Sequence, residues 1–174
     1  MQKICLLFFL ALTLNACIEQ NPNETLEGAD LFEEKAYYLN QIDPSFRDTV
    51  YVPVYSDIYS GSRNMKYDLT ATLSIRNTSL TDSVFLEKID YYNNDGLLVR
   101  SYVEGVLLLK PMQSVQYVIE KDDQEGGTGA NFIVCWGANQ NQLHPVMQGV
   151  MISTEGQQGI SFLTEGVSIS KKRR

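Results

Sequence analysis

The sequence predicts an all-β protein, an antiparallel sandwich of about nine short strands. Three observations carry this. Leu69-Thr70-Ala71-Thr72-Leu73-Ser74-Ile75-Arg76 alternates apolar and polar residues without a break, the pattern of a strand with one face in a core and one in water. Turn-forming clusters, Asn77 to Asp82 and Asn93 to Gly96, separate this run from similar short runs. No stretch of helical periodicity of crossover length lies between them, which favours antiparallel pairing over a parallel sheet. At 174 residues with 44% hydrophobic content, the chain can build a core without a metal or disulfide staple. The same composition, with 10 Tyr and 7 Phe, excludes a disordered or coiled-coil protein.

Residues 1–17 read as an export segment. Lys3 supplies the positive start, and Ile4 to Leu14 supplies an apolar stretch shorter than the ~20 residues a membrane-spanning helix needs. Its ending, Leu14-Asn15-Ala16-Cys17, resembles the bacterial lipobox. That resemblance implies that Cys17 becomes the lipid-modified first residue of the mature chain, placing the protein on a membrane of the cell envelope, at the outer membrane or a periplasmic face. Residues 18–48 are polar and without strand alternation, a tether of up to about 100 Å when extended. Within it Phe32, Ala36 and Leu39 fall at helical spacing, so a short amphipathic helix is expected before Asp43-Pro44.

The domain is expected over residues 49–168. Tyr51 to Tyr55 opens it, Leu69 to Arg76 follows, and Val84 to Tyr92 runs into Asn93-Asn94-Asp95-Gly96. Asp-Gly between apolar runs predicts a type I′ hairpin, whose two central residues both need positive φ. Leu97 to Val103, Val106 to Leu109, Ser114 to Glu120, Asn131 to Trp136, Val146 to Ser153 and Ile160 to Thr164 complete the set. Lys110-Pro111 marks a corner. Residues 169–174 form a basic tail.

Fourteen basic and 21 acidic residues give a net charge of −7. Without Lys3 it is −8, and without Lys171, Lys172, Arg173 and Arg174 as well the remainder stands at −12. Such a body repels nucleic acid and has no basic aromatic patch to bind it. With Cys5 removed and Cys17 acylated, Cys135 is the one remaining thiol, so no internal disulfide forms. Its apolar surroundings, Phe132 to Trp136, predict a small inert core residue.

Two resemblances extend this reading. Leu73 to Thr78, Tyr91 to Val99, Leu109-Lys110-Pro111 and Val115-Gln116-Tyr117 resemble, in that order, the immunoglobulin-like sandwiches of late-embryogenesis-abundant and related bacterial modules, which implies an immunoglobulin-like sandwich of 7 to 9 strands. Tyr51 to Tyr59, Thr72 to Thr78, Gly126 to Phe132 and Gly156 to Phe162 resemble an uncharacterised family of small exported bacterial proteins. That likeness spans roughly residues 49–168 and implies compartment and fold, with no activity.

Three sets of residues are candidate sites. Asp122, Asp123 and Glu125, followed by Gly126, Gly127 and Gly129, offer hard oxygen ligands for calcium or a nest of main-chain N–H groups for an anion, although the spacing is not that of an EF-hand. The plainer reading is an acidic turn. Tyr51, Tyr55 and Tyr59 could form a stacking platform for sugar rings or an anchor for a protein, against the plainer reading of half-buried strand tyrosines. Gln157 and Gln158, among Gly149, Gly156, Gly159 and Gly166, suit a sugar- or peptide-binding edge, or simply turns and bulges. Catalytic constellations are missing: His144 is the sole imidazole, no Gly-x-Ser-x-Gly elbow is present, and a hydrolase would require a pocket around His144. The expectation is a non-enzymatic envelope module without cofactor, lipid-held through Cys17, that binds an envelope protein or glycan. The alternative is a small-ligand or calcium receptor using the Asp122 to Gly129 loop.

Overall fold

The computed structural model describes residues 42–154 and 159–170, together with the main chain of 37–39. Cys17, residues 31–36 of the expected helix, Gln157, Gln158 and residues 171–174 of the basic tail lie outside the described residues. Among the described residues there is no helix, and thus none able to span a membrane.

Thirteen strands are present: β1 (Tyr37–Leu39), β2 (Phe46–Pro53), β3 (Asp57–Ser60), β4 (Ser62–Asp68), β5 (Thr70–Arg76), β6 (Val84–Tyr92), β7 (Leu98–Ser101), β8 (Val106–Leu109), β9 (Ser114–Ile119), β10 (Asn131–Ala138), β11 (Val146–Ser153), β12 (Ile160–Glu165) and β13 (Val167–Ser168). The larger sheet runs β1-β8-β6-β10-β2-β13, with β7 paired to β6 on the edge that β8 uses further along. The smaller sheet runs β12-β11-β5-β9, and β3-β4 is a separate two-stranded ribbon. Every pairing is antiparallel.

The two sheets enclose one core. Val50 and Val52 of β2, Ile89 and Tyr91 of β6, and Phe132 and Val134 of β10 meet Ala71, Leu73 and Ile75 of β5 and Met147 and Met151 of β11. Leu69, Ala71, Leu73 and Ile75 are fully buried, as their alternation requires. All nine expected strands occur, eight of them within two residues of the expected bounds at each end. Of the four extra ones, β3, β4 and β13 carry no strand alternation: β4 reads Ser-Arg-Asn-Met-Lys-Tyr-Asp, and its first five residues are exposed.

Four expectations are corrected. Tyr37–Leu39, the end of the expected helix, is a strand paired with β8. The β2 strand starts at Phe46, inside the expected tether, and pairs with β10 from there. The β6-β7 turn is not type I′: Gly96 has φ +73° and Asp95 does not have positive φ. Instead the loop has three residues, Asn94 to Gly96, closed by Gly96 N–H to Asn93 O (3.0 Å) and Asn93 N–H to Leu97 O (3.1 Å), with the Asn93 side chain accepting from Asp95 and Leu97 N–H. Cys135 is half-buried, on the outer face of β10, with its Sγ 3.8 Å from Thr49 Oγ1. Phe132, Val134 and Trp136 are the buried set of that strand.

Candidate functional site

The inward column of β2 is Val52, Val50, Asp48, and that of β10 is Phe132, Val134, Trp136; Asp48 and Trp136 are register partners. At this level the apolar core gives way to a polar residue, and the sandwich is open at its end. A cleft of about 310 Å³ forms there, lined by Asp48, Val50 and Trp136 from the larger sheet, Met147 and Glu165 from the smaller one, and His144 from the loop before β11. Gly166 and Ser168 form the remaining wall. Its size lies at the lower bound of small-ligand pockets.

Trp136 is 3% exposed and packs its ring on Phe46, centroids 5.4 Å apart. Its indole N–H has no acceptor among the described residues. Asp48 Oδ1 accepts from Thr49 N–H and from the Ser168 hydroxyl, both at 2.8 Å. Glu165 Oε1 accepts from Gln148 Nε2 at 2.7 Å. The ion pairs formed among the described residues join Arg47 to Asp43 and Glu87, Lys66 to Asp57, Lys88 to Asp90, and Arg100 to Asp123 and Glu125. Asp48 and Glu165 take part in none of them.

The sequence-predicted sites fall elsewhere. Asp123 and Glu125 converge on the Arg100 guanidinium, at 3.0 and 3.8 Å, while Asp122 is exposed. A cation already stands where calcium would be needed, and among the described residues no group of three or more His, Cys, Asp or Glu is placed to share a metal. The glycine loop is tied inward: Gly127 N–H donates to Ser56 Oγ (2.6 Å), Gly129 N–H donates to Asn94 Oδ1 (2.5 Å), and Asn94 N–H donates to Gly126 O (3.1 Å). These N–H groups are used in stapling the loop to the β6-β7 turn and to the segment after β2.

The three tyrosines lie on separate features. Tyr51 is half-buried on β2, between Ile133 of β10 and Val167 of β13. Tyr55, beyond the end of β2, meets Phe162 edge-on at 5.8 Å and packs against the core. Tyr59, on β3, is 58% exposed with Lys66 Nζ 5.2 Å from its ring.

His144, the chain's one imidazole, lines this cleft. Sequence reasoning missed Asp48, Trp136, Glu165 and Ser168 as its companions because they come from four segments with no shared spacing. The signal that was available is that the chain's single Trp and single His both lie near the ends of strands.

No match is found among the curated proteins. Among solved structures, "Crystal Structure of Thermotoga maritima 1070" aligns with 69% of this chain and 92% of its own at 17% identity and a TM-score of 0.40, a similarity too slight to inform fold or function. The family model "Protein of unknown function (DUF3124)" matches residues 47–169, from the second residue of β2 to the residue after β13, so the described sandwich is that family's domain and the chain belongs to the DUF3124 family.

Proposed function

We propose that this protein is a lipid-anchored, non-catalytic binding module of the bacterial cell envelope that docks an envelope protein or glycan in the open end of its sandwich. The observation that carries the docking role is the cleft itself, a concavity at the end of the sandwich lined by Asp48, Trp136 and His144 among others. Concave sites with a few convergent polar groups are where a chain most often binds a ligand or partner. Leu14-Asn15-Ala16-Cys17 supports the anchor, since acyl chains contribute ~0.8 kcal/mol per buried methylene and so hold a chain at a membrane without a spanning helix. The non-catalytic reading is favoured by the contact between Ser168 and Asp48: the hydroxyl donates directly to the carboxylate, whereas nucleophilic catalysis would place an imidazole between them. Docking is favoured over calcium binding because Arg100 already pairs with Asp123 and Glu125.

The test is co-purification from detergent-solubilised envelope, comparing the native chain with Cys17→Ala and with an Asp48→Asn/Glu165→Gln pair. The reading expects palmitate label and detergent partitioning to vanish with Cys17→Ala. It also expects one defined protein or glycan to be recovered with the native chain and lost with the double variant. Recovery that is equal from the double variant, or label that survives Cys17→Ala, overturns it.

A further inference from the structure

We propose that the β3-β4 ribbon is an arm that docks on a second copy of this chain, its basic tip meeting the acidic β6-β7 turn and β9-β10 loop of that copy across a two-fold axis. This surface is separate from the cleft. The cleft lies where β2 begins, at Asp48, whereas the ribbon follows the other end of β2, beyond Pro53. The ribbon is a two-stranded sheet of its own, turned at Gly61 with φ +70°. Ile58 packs against the core, but Tyr59 and residues 61–66 are exposed. An isolated two-stranded ribbon is marginal in water, so this outer half gains little stability from its own chain. Its register slips between Tyr59 and Ser60, and Arg63, Asn64 and Met65 are left without ladder partners. Such irregularities bend a strand and re-aim its side chains. Tyr59 and Met65 are each half or more exposed there.

The occupant follows from charge. Residues 59–66 hold Arg63 and Lys66 and no acid, in a chain of net charge −7. Lys66 is engaged by Asp57, whereas Arg63 is exposed and joins none of the ion pairs among the described residues. Acids that match it stand at the same end of the sandwich. Ser56, one residue before the ribbon, exchanges hydrogen bonds with Gly127, and Asn94 of the β6-β7 turn holds Gly126 and Gly129 of the same loop. Asp95 in that turn and Asp122 in that loop are exposed and take part in none of those ion pairs. Leu97 and Leu98, beside Asp95, are each more than half exposed. A tip with a guanidinium, an aromatic ring and a thioether thus complements carboxylates set beside leucines. Because both surfaces lie at one end of the molecule, a two-fold axis makes the contact twice and closes the pair. An anionic membrane fits less well, since Asp95 and Asp122 would approach it together with the arm.

Sedimentation equilibrium of the detergent-solubilised full chain, in a buffer that matches the density of the micelle, reads the mass of the protein. A dimer is expected. Arg63→Glu alone and Asp95→Lys/Asp122→Lys alone are each expected to weaken dimerisation about tenfold or more. Both are expected to keep the native circular dichroism spectrum, since all three side chains are exposed. Mixing the two variants in equal amounts is expected to restore the dimer, because the mixed pair has one native contact and one in which both charges are exchanged. A monomeric native chain, a dimer that persists in both variants, or a mixture that stays monomeric overturns the proposal. Binding to phosphatidylglycerol vesicles that Arg63→Glu abolishes while the dimer mass is unchanged assigns the arm to the membrane and overturns it as well. The mass is read without any other partner, so the docking reading of the cleft stands or falls separately.

Discussion

The hydroxyl of Tyr91 and the α-carbon of Gly126 are packed so closely that no side chain fits between them. A methyl on residue 126 would overlap the Tyr91 oxygen and lie 2.8 Å from Ser56 Oγ. Tyr91 is fully buried, and burial raises the pKa of its phenol. The glycine loop therefore closes over the end of the core, and its composition follows from packing as much as from turn geometry.

Gly126→Ala is expected to destabilise the domain by about 2 kcal/mol, the cost of overpacking a rigid site. Tyr91→Phe removes the oxygen that the methyl would meet, so the double variant is expected to lose less than the two single losses added. Chemical denaturation of the four proteins measures the coupling, and strict additivity would show that the contact is not the cause.

Met112 is the one described non-glycine residue with positive φ, at 60°, following Pro111 in the β8-β9 turn. Its side chain is 63% exposed and contributes little packing. Left-handed backbone costs an L-residue roughly 1–2 kcal/mol, part of which glycine returns as unfolded-state entropy. Met112→Gly is thus expected to stabilise by about 0.5–1 kcal/mol, a rise of a few degrees in the thermal midpoint. A lowered midpoint would contradict the strain assigned to this turn.

Asn77 is 3% exposed and ties three segments together. Its Nδ2 donates to the carbonyls of Asp82 (2.7 Å), Leu109 (3.1 Å) and Lys110 (3.0 Å), while its Oδ1 accepts from Ser79 N–H (3.0 Å). Asn77→Ala leaves these groups unpaired and is expected to cost about 3 kcal/mol. Asn77→Asp, which turns acceptors toward carbonyl oxygens, is expected to cost at least as much at pH 7. A variant within 1 kcal/mol of the parent in urea unfolding would remove the residue from this role.

Asp90 is 1% exposed although it points away from the core of the sandwich. Burial pushes its pKa up, but Lys88 Nζ at 2.6 Å, the Ser101 hydroxyl at 2.8 Å and the Tyr92 hydroxyl at 3.2 Å outweigh it, and the net direction is down. A carboxyl whose folded pKa is depressed adds stability that is fully present above its unfolded value of 3.8 and is lost as pH falls through the folded value. Asp90→Asn is expected to lower stability at pH 7 by about 1–3 kcal/mol and to flatten the loss between pH 4 and pH 2. An acid limb unchanged by the substitution would locate that sensitivity elsewhere.

The legible part of the fold is the part that alternates. Leu69, Ala71, Leu73 and Ile75 announce both a strand and its inner face. In Phe132-Ile133-Val134-Cys135-Trp136 both faces are apolar, so the strand is legible and its parity is not, which is why Cys135 reads as core and lies outside. Cys135→Ser should accordingly cost under ~1 kcal/mol, where a core cysteine would cost more. The β3-β4 ribbon is hidden for the opposite reason, since it buries too little to impose any alternation. The cleft was the least visible feature: Asp48, Trp136, His144 and Glu165 become neighbours only when β2, β10, β11 and β12 are placed in their sheets.

The strand order also governs when the domain can fold. The β2 strand, the first among the described residues to contribute side chains to the core, has β10 on one side and β13 on the other, so both of its partners lie at residue 131 or beyond. During synthesis β6, β7 and β8 can pair early, but β2 must wait for most of the chain to emerge. Contacts so distant in sequence close slowly because the intervening loop entropy is lost first. The larger sheet is completed at Ile169, whose N–H donates to Thr49 O at 2.8 Å, so a growing chain cannot close it until residue 169 has emerged.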